Sequence, residues 1–201
     1  MRVYGDSISG NCHKVRWVLD LLEIPYEWHE TSALDGTTRK RDFLTINPAG
    51  QVPAMVLDDG RTLAQSNAMI LYLAEDSRLI PADPYDRGRM FEWLFWEQYS
   101  HEPYVAVRRF QLRYLNRAPG DLDPKLWDRG SAALLRLEDA LIRSPYLVGE
   151  QLSLADIALV AYTRLAGEGG FDLSHYPAVG RWIARVEHDL GIGAYAGEFA
   201  A

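Results

Sequence analysis

The sequence predicts an α/β half followed by an all-α half. Strand-like runs alternate with helical periodicity through the first eighty residues, a proline-bearing stretch interrupts the pattern at residues 81 to 86, and only helical periodicity follows. The expected division is a domain over 1–80, a linker over 81–86 and an all-helical domain over 87–201. With 201 residues, 48% hydrophobic and 24% charged, the chain is long enough for two small cores.

Each element follows from its local pattern. Met1–Tyr4 reads as a strand, and the helix beginning near Cys12 sets Val15, Val18, Leu19 and Leu22 on one face. Pro25 is expected to end it. Tyr26–Glu30 reads as a second strand, which makes a parallel strand-helix-strand unit with a right-handed crossover. A short helix over Thr38–Leu44 leads to two strand-like runs around Asp58-Asp59-Gly60, whose Asp-Gly pair marks a hairpin turn. Ser66–Glu75 closes this half as a helix, giving the order βαβ-α-ββα. Beyond the linker, Arg87–Leu115 reads as one long aromatic-rich helix that bends near Glu102-Pro103. Leu134, Leu137 and Leu141 mark a second helix, Ile157, Val160 and Ala161 a third, and Val179, Trp182, Ile183 and Val186 a fourth.

Composition removes several functions. A formal net charge of −7 and a pI near 5.2 argue against nucleic-acid binding, because phosphates need a basic surface. The single cysteine, Cys12, excludes an intrachain disulfide and a cysteine-rich metal site. The five histidines lack the paired spacing of metal ligands, and His101 reads as a helix-surface or helix-end residue. No apolar run approaches the ~20 residues that cross a bilayer, and the N-terminus lacks the apolar core of a signal peptide. These features lead us to expect a cytoplasmic protein with no membrane or nucleic-acid partner.

Two motif sets remain. Asn47-Pro48-Ala49-Gly50-Gln51-Val52-Pro53-Ala54 is followed, past the hairpin, by Gln65-Ser66-Asn67 at the mouth of a helix; Gly149-Glu150-Gln151-Leu152-Ser153-Leu154-Ala155-Asp156 lies in the second half. With these motifs the chain resembles the cytosolic glutathione S-transferases of the serine type, which include the theta and zeta classes. The resemblance implies a thioredoxin-like first domain and a cis bond at Val52-Pro53. It also implies that the Val52 backbone pairs with the cysteinyl part of glutathione much as a neighbouring strand would. Gln65 and Ser66 would hold the γ-glutamyl group, Ser66 offering its amide and hydroxyl at the positive end of a helix. Arg39 or Lys40 would take the glycyl carboxylate. Ser153 would cap the central helix of the second domain, with Asp156 reaching back in a capping box.

The chemistry so implied is thiol activation. A free thiol has a pKa of about 8.5, and lowering it by two units needs about 2.7 kcal/mol. One hydroxyl hydrogen bond to a charged acceptor supplies roughly 1.5–3 kcal/mol. The resemblance puts the family's hydroxyl at Ser9, with Ser7 as rival and the Asn11 amide as a further donor. Tyr4 matches the tyrosine of other classes but lies within a strand. Cys12 has two readings: a buried structural residue, or a nucleophile that would make the protein a glutathione-dependent thiol-disulfide reductase. The electrophile pocket is expected to involve Ile8, Tyr104, Arg108, Phe110 and the C-terminal segment. Arg108 and Arg109 either bind an acidic co-substrate, pair with Glu102, or face solvent. The implied activity is detoxifying conjugation of glutathione, as co-substrate, to a small apolar electrophile by a metal-free homodimer. A non-catalytic binding module on the same fold is the remaining alternative.

Overall fold

In the computed structural model, which describes residues 1–195, strands β1 (Arg2–Gly5), β2 (Glu27–Glu30), β3 (Ala54–Val56) and β4 (Thr62–Ala64) form one mixed sheet. Its order is β2-β1-β3-β4, with β1 and β2 parallel and the β1–β3 and β3–β4 pairs antiparallel. The chain divides into two units, Met1–Ser77 and a second that begins at Arg78.

Unit one keeps the predicted thioredoxin-like order and shifts several boundaries. Helix α1 (Gly10–Leu21) buries Cys12, Val15, Val18 and Leu19, while Leu22 lies just outside it and is only half-buried. Pro25 does not stop the helix. Glu23 turns to φ 53, and the amides of Glu23 and Ile24 bond back to the carbonyls of Asp20 at 3.2 Å and Leu19 at 2.9 Å. That closure satisfies the last carbonyls and is usually built with glycine, which is why no proline or glycine signal announced it. The short helix expected over Thr38–Leu44 is two pieces, a 3-10 turn (Thr37–Arg39) and α2 (Arg41–Ile46), separated by extended Lys40. The hairpin closes where expected, with Gly60 at φ 86 donating to the Leu57 carbonyl at 3.0 Å. Helix α3 (Ser66–Leu73) packs against α1 and ends before Glu75, with Asp76 at φ 64.

Unit two contains α4 (Pro84–Trp96), α5 (Glu102–Arg113), α6 (Pro124–Leu141), α7 (Leu154–Thr163) and α8 (Pro177–Asp189), and no strand among the described residues. The second half of the expected linker is already helical. Asp83 caps α4 by accepting from the Tyr85 and Asp86 amides, and Pro84 opens the first turn, where its missing N–H costs nothing. The long helix predicted over Arg87–Leu115 is interrupted by a widened π-type turn, Glu97–His101, between α4 and α5. Every residue of α7 is buried, and the closely packed α6 brings Gly130 so near Phe171 that a Cβ there would meet the ring at 2.3 Å. Among the described residues no helix is long and apolar enough to cross a membrane.

Candidate active site

Strand register gathers the motifs of unit one. Tyr4 is opposite Ala54, and Ala54 is opposite Ala64, so the chain leaves β1, enters β3 and leaves β4 at one end of the sheet. The β1–α1 loop, Val52-Pro53 and Gln65-Ser66 therefore emerge together.

The β1–α1 loop is held by two carboxylates that the sequence did not flag. Buried Asp6 accepts from the Ile8 amide at 3.0 Å and the Ala33 amide at 3.1 Å, and its carbonyl accepts from the Ser9 amide at 3.0 Å. Glu30 accepts from the Ser7 amide at 2.8 Å and the Ser7 hydroxyl at 3.1 Å through one oxygen, and from Trp28 Nε1 at 2.9 Å through the other. Burial pushes the Glu30 carboxyl up, but the bonds from Trp28 and Ser7 outweigh it and hold the group below the usual carboxylate range. Ser7 has thus committed its hydroxyl proton to Glu30. Ser9, half-buried, caps α1: its hydroxyl oxygen accepts from the Cys12 amide at 3.4 Å. Ile8 is half-buried between them.

Cys12 is fully buried, and its Sγ accepts from the Asp6 amide at 3.3 Å. Burial pushes its thiol up to about 11, against bonds from the Asp6 amide and the Ser9 hydroxyl that pull the other way. At neutral pH such a thiol is almost wholly protonated and a poor nucleophile. Tyr4 is taken up in a ring stack, 4.8 Å from His29 and edge-on to Phe43 at 6.1 Å.

Val52-Pro53 is cis. The preceding loop is organised by buried Asn47, whose amide donates to the Gln51 carbonyl at 2.7 Å and accepts from the Ala49 amide at 3.1 Å. Pro53 is buried, Val52 half-buried, and among the described residues the Val52 amide and carbonyl have no bonding partner. Arg39 extends along this loop to the Ala49 carbonyl at 3.4 Å; Lys40 is exposed. Exposed Gln65 adopts φ 71 and ψ 110, a sparsely populated conformation for a residue with a Cβ, and precedes the first residue of α3. Ser66 is buried, and its hydroxyl donates to Asn11 Oδ1 at 3.1 Å. The start of α3 is thereby tied to the start of α1. Neither helix has an acidic residue in its first turn.

In unit two, Arg108 and Arg109 do not face solvent. Both are buried against the 3-10 turn Ala166–Gly169: Arg108 Nε donates to the Gly169 carbonyl at 2.7 Å, with the Trp127 and Phe171 rings 5.2 and 5.9 Å from its guanidinium. Arg109 pairs with Glu168 at 2.6 Å and donates to the Tyr114 hydroxyl at 2.9 Å. Burial lowers the Arg108 pKa from its usual value. Tyr104 is half-buried, and Phe110 is 38% exposed and packed on Tyr114. His101 is not on the surface; it is fully buried, 3.0 Å from the Thr163 hydroxyl. That hydroxyl gives its proton to the Leu159 carbonyl at 2.7 Å, so the imidazole Nε2 is the donor. Part of the C-terminal segment expected at the pocket, residues 196–201, lies outside the described residues. The capping box is present: Asp156 accepts from the Ser153 amide and hydroxyl at 3.0 and 2.8 Å, and also from Leu147 N and Trp182 Nε1, both at 2.9 Å. Among the described residues no group of three or more His, Cys, Asp or Glu side chains is placed to hold a metal.

Comparison with known proteins agrees with this geometry. Residues 8–76 match the glutathione S-transferase N-terminal domain, and residues 124–189 match the glutathione S-transferase C-terminal domain. The chain belongs to the glutathione S-transferase family. As a member it is an enzyme, and both halves of the family fold are present. It is 31% identical to mouse glutathione S-transferase theta-1, over 95% of this chain and 84% of that protein. It is 30% identical to the disulfide-bond oxidoreductase YfcG of Escherichia coli, over 88% of this chain and 85% of that protein. A crystal structure of a glutathione S-transferase from Pseudomonas fluorescens superposes with a TM-score of 0.89 at 48% identity, covering 92% of this chain and 94% of the other.

Proposed function

We propose that unit one binds glutathione, ionises its thiol at the start of α1 and, as a homodimeric cytoplasmic enzyme, conjugates it to small apolar electrophiles in detoxification. The observation that carries this reading is the Ser66–Asn11 bond of 3.1 Å. It joins two helix starts that carry no acidic residue of their own in the first turn, beside a Val52 backbone whose polar groups have no partner among the described residues. Two positive helix ends and one free backbone edge match a ligand with a carboxylate, a thiolate and a peptide backbone between them.

In this reading Val52 pairs with the cysteinyl backbone, and Gln65 with the Ser66 amide holds the γ-glutamyl end. The Ser66 hydroxyl, already given to Asn11, contributes by fixing that amide. Arg39, already aligned with the loop, is favoured over Lys40 for the glycyl carboxylate. Ser9 leads as the sulfur donor, because its hydroxyl stands at the cap of α1, where it bonds the Cys12 sulfur and would turn its proton to the glutathione thiolate; Asn11 is the second donor. Ser7, bonded to Glu30, acts by shaping the loop. The disulfide activity in the name of the Escherichia coli relative keeps a reductase reading in view. The burial of Cys12 argues against that residue as its nucleophile.

The test is the ultraviolet thiolate absorbance of bound glutathione between pH 5 and 9. A thiol pKa well below the free value, restored by Ser9→Ala and unmoved by Cys12→Ala, is expected. Binding without ionisation would make the protein a non-catalytic module, and a mixed disulfide on Cys12 would make it a reductase. Support for the dimer comes from an aromatic stripe along α4 and the turn after it. Tyr85, Phe95 and Tyr99 are 75%, 73% and 83% exposed, and Phe91 stacks on Phe95. Sedimentation at micromolar concentration should show a dimer that Phe95→Glu converts to a monomer.

A further inference from the structure

We infer that Glu30 is a positioning residue for the thiolate site, fixing through Ser7 the loop that presents Ser9 at the start of α1. The inference rests on the glutathione chemistry proposed above. Glu30 ends β2 directly opposite Gly5, the last residue of β1, so its side chain reaches back over the loop as that loop departs. One carboxylate oxygen takes both the amide and the hydroxyl of Ser7, and the Ser7 carbonyl accepts from His13 Nε2 at 2.9 Å. Ser7 therefore has its donors and its carbonyl in use. The next two amides, of Ile8 and Ser9, are held by Asp6. No rotation is left in the loop that does not break a bond.

The other carboxylate oxygen is aimed by Trp28, whose Nε1 donates to it at 2.9 Å. The indole lies against Gly5, where an added Cβ would meet the ring at 2.2 Å, so a glycine at that place is what lets Trp28 reach Glu30. The Arg16 guanidinium lies over the indole, 5.7 Å from the ring centre. Glycine, tryptophan, carboxylate and serine form one chain of contacts ending two residues before the helix cap.

The sign of the effect separates positioning from simple electrostatics. A carboxylate near the site disfavours a second negative charge, so if Glu30 acted only through its field, removing its charge would lower the thiol pKa. If it acts by holding the loop, removing it misplaces the Ser9 hydroxyl and the thiol pKa rises.

The experiment is the same thiolate titration on Glu30→Ala, Glu30→Gln and, as control, Glu27→Gln, with kcat and the KM for glutathione measured alongside. Glu30→Ala should raise the bound thiol pKa by about one unit, which is about tenfold less thiolate below both values, and lower kcat in proportion. Glu30→Gln, which keeps one acceptor oxygen, should fall between, and Glu27→Gln should match the wild type. Trp28→Phe, which removes the indole donor and shortens the ring system, should move the thiol pKa the same way by less; it carries the test if the Glu30 variants do not fold. A thiol pKa that falls or stays put in these variants, whatever happens to the melting temperature, overturns the inference while the proposed function stands. A wild-type protein that binds glutathione without ionising it overturns both.

Discussion

Helices α1 and α7 both begin at a serine, Ser9 and Ser153, yet the two starts are finished differently. At α7 the carboxylate of Asp156 folds back inside the first turn and accepts four bonds, from Ser153 twice, Leu147 and Trp182, and none of it is exposed. The other helices of unit two follow suit: Asp83 caps α4, Glu102 sits in the first turn of α5, Asp123 caps α6, and Glu138 accepts from the Ala178 and Val179 amides at the start of α8. In unit one, α1 and α3 lack any acidic residue in the first turn, and their starts are joined by the neutral Ser66–Asn11 bond. A helix start that supplies its own anion is a structural joint; one that does not retains its positive end for an anion from outside.

That contrast can be broken at either end. The largest effect is expected for Asp156→Ala, which strands four buried donor groups and should cost about 3–5 kcal/mol, read as a loss of urea midpoint in unit two. Ser9→Ala should move function far more than stability: about 1 kcal/mol from the cap, but roughly 10- to 100-fold in kcat/KM through one or two units of thiol pKa. Ser153→Ala should cost a similar 1 kcal/mol and leave the thiol pKa unchanged, so the two serines together separate the roles. A pH series sharpens the same comparison through two carboxylates shifted in opposite directions. Burial raises the Asp156 pKa, so its contribution is present at low pH and lost as pH climbs above the unfolded value of about 4. Glu30 is lowered, so its contribution is present above about 4 and lost as pH falls. Acid should therefore loosen the β1–α1 loop while leaving the α7 cap in place, visible as faster amide exchange at Ser7 with that at Leu147 unchanged. The smallest effect is expected at Cys12. With its thiol pushed up to about 11, alkylation should be negligible in the native protein at pH 7 and become rapid only on unfolding.

The parts legible in the sequence were those set by neighbours in the chain. Asp-Gly made the hairpin, Ser153 and Asp156 three residues apart made the capping box, and the Val52-Pro53 and Gln65-Ser66 motifs fell at one end of the sheet because strand order put them there. What stayed hidden depends on distant partners or on uncommon backbone. Ser7 meets Glu30 across 23 residues and Asp6 meets Ala33 across 27, so two isolated acids gave no pattern to read. Arg108 and Arg109 resembled an exposed basic pair because their partners, Gly169 and Glu168, lie about 60 positions away. Glu23 closes α1 in a conformation that sequence rules assign to glycine, which left Pro25 as the only visible stop.

The widened turn at Glu97–His101 gives the length of that stretch a meaning of its own. Each residue of an α-helix advances the side-chain direction by about 100°, and a π-type turn holds an extra residue in one turn. Deleting one residue there would restore an uninterrupted helix and swing everything after it by about that angle. Arg108 and Arg109 would rotate off Gly169 and Glu168, although none of those four residues had changed. The stretch works as a phase setting: the number of residues it contains, as much as their identity, decides whether the arginines of α5 meet the turn 59 and 61 positions downstream.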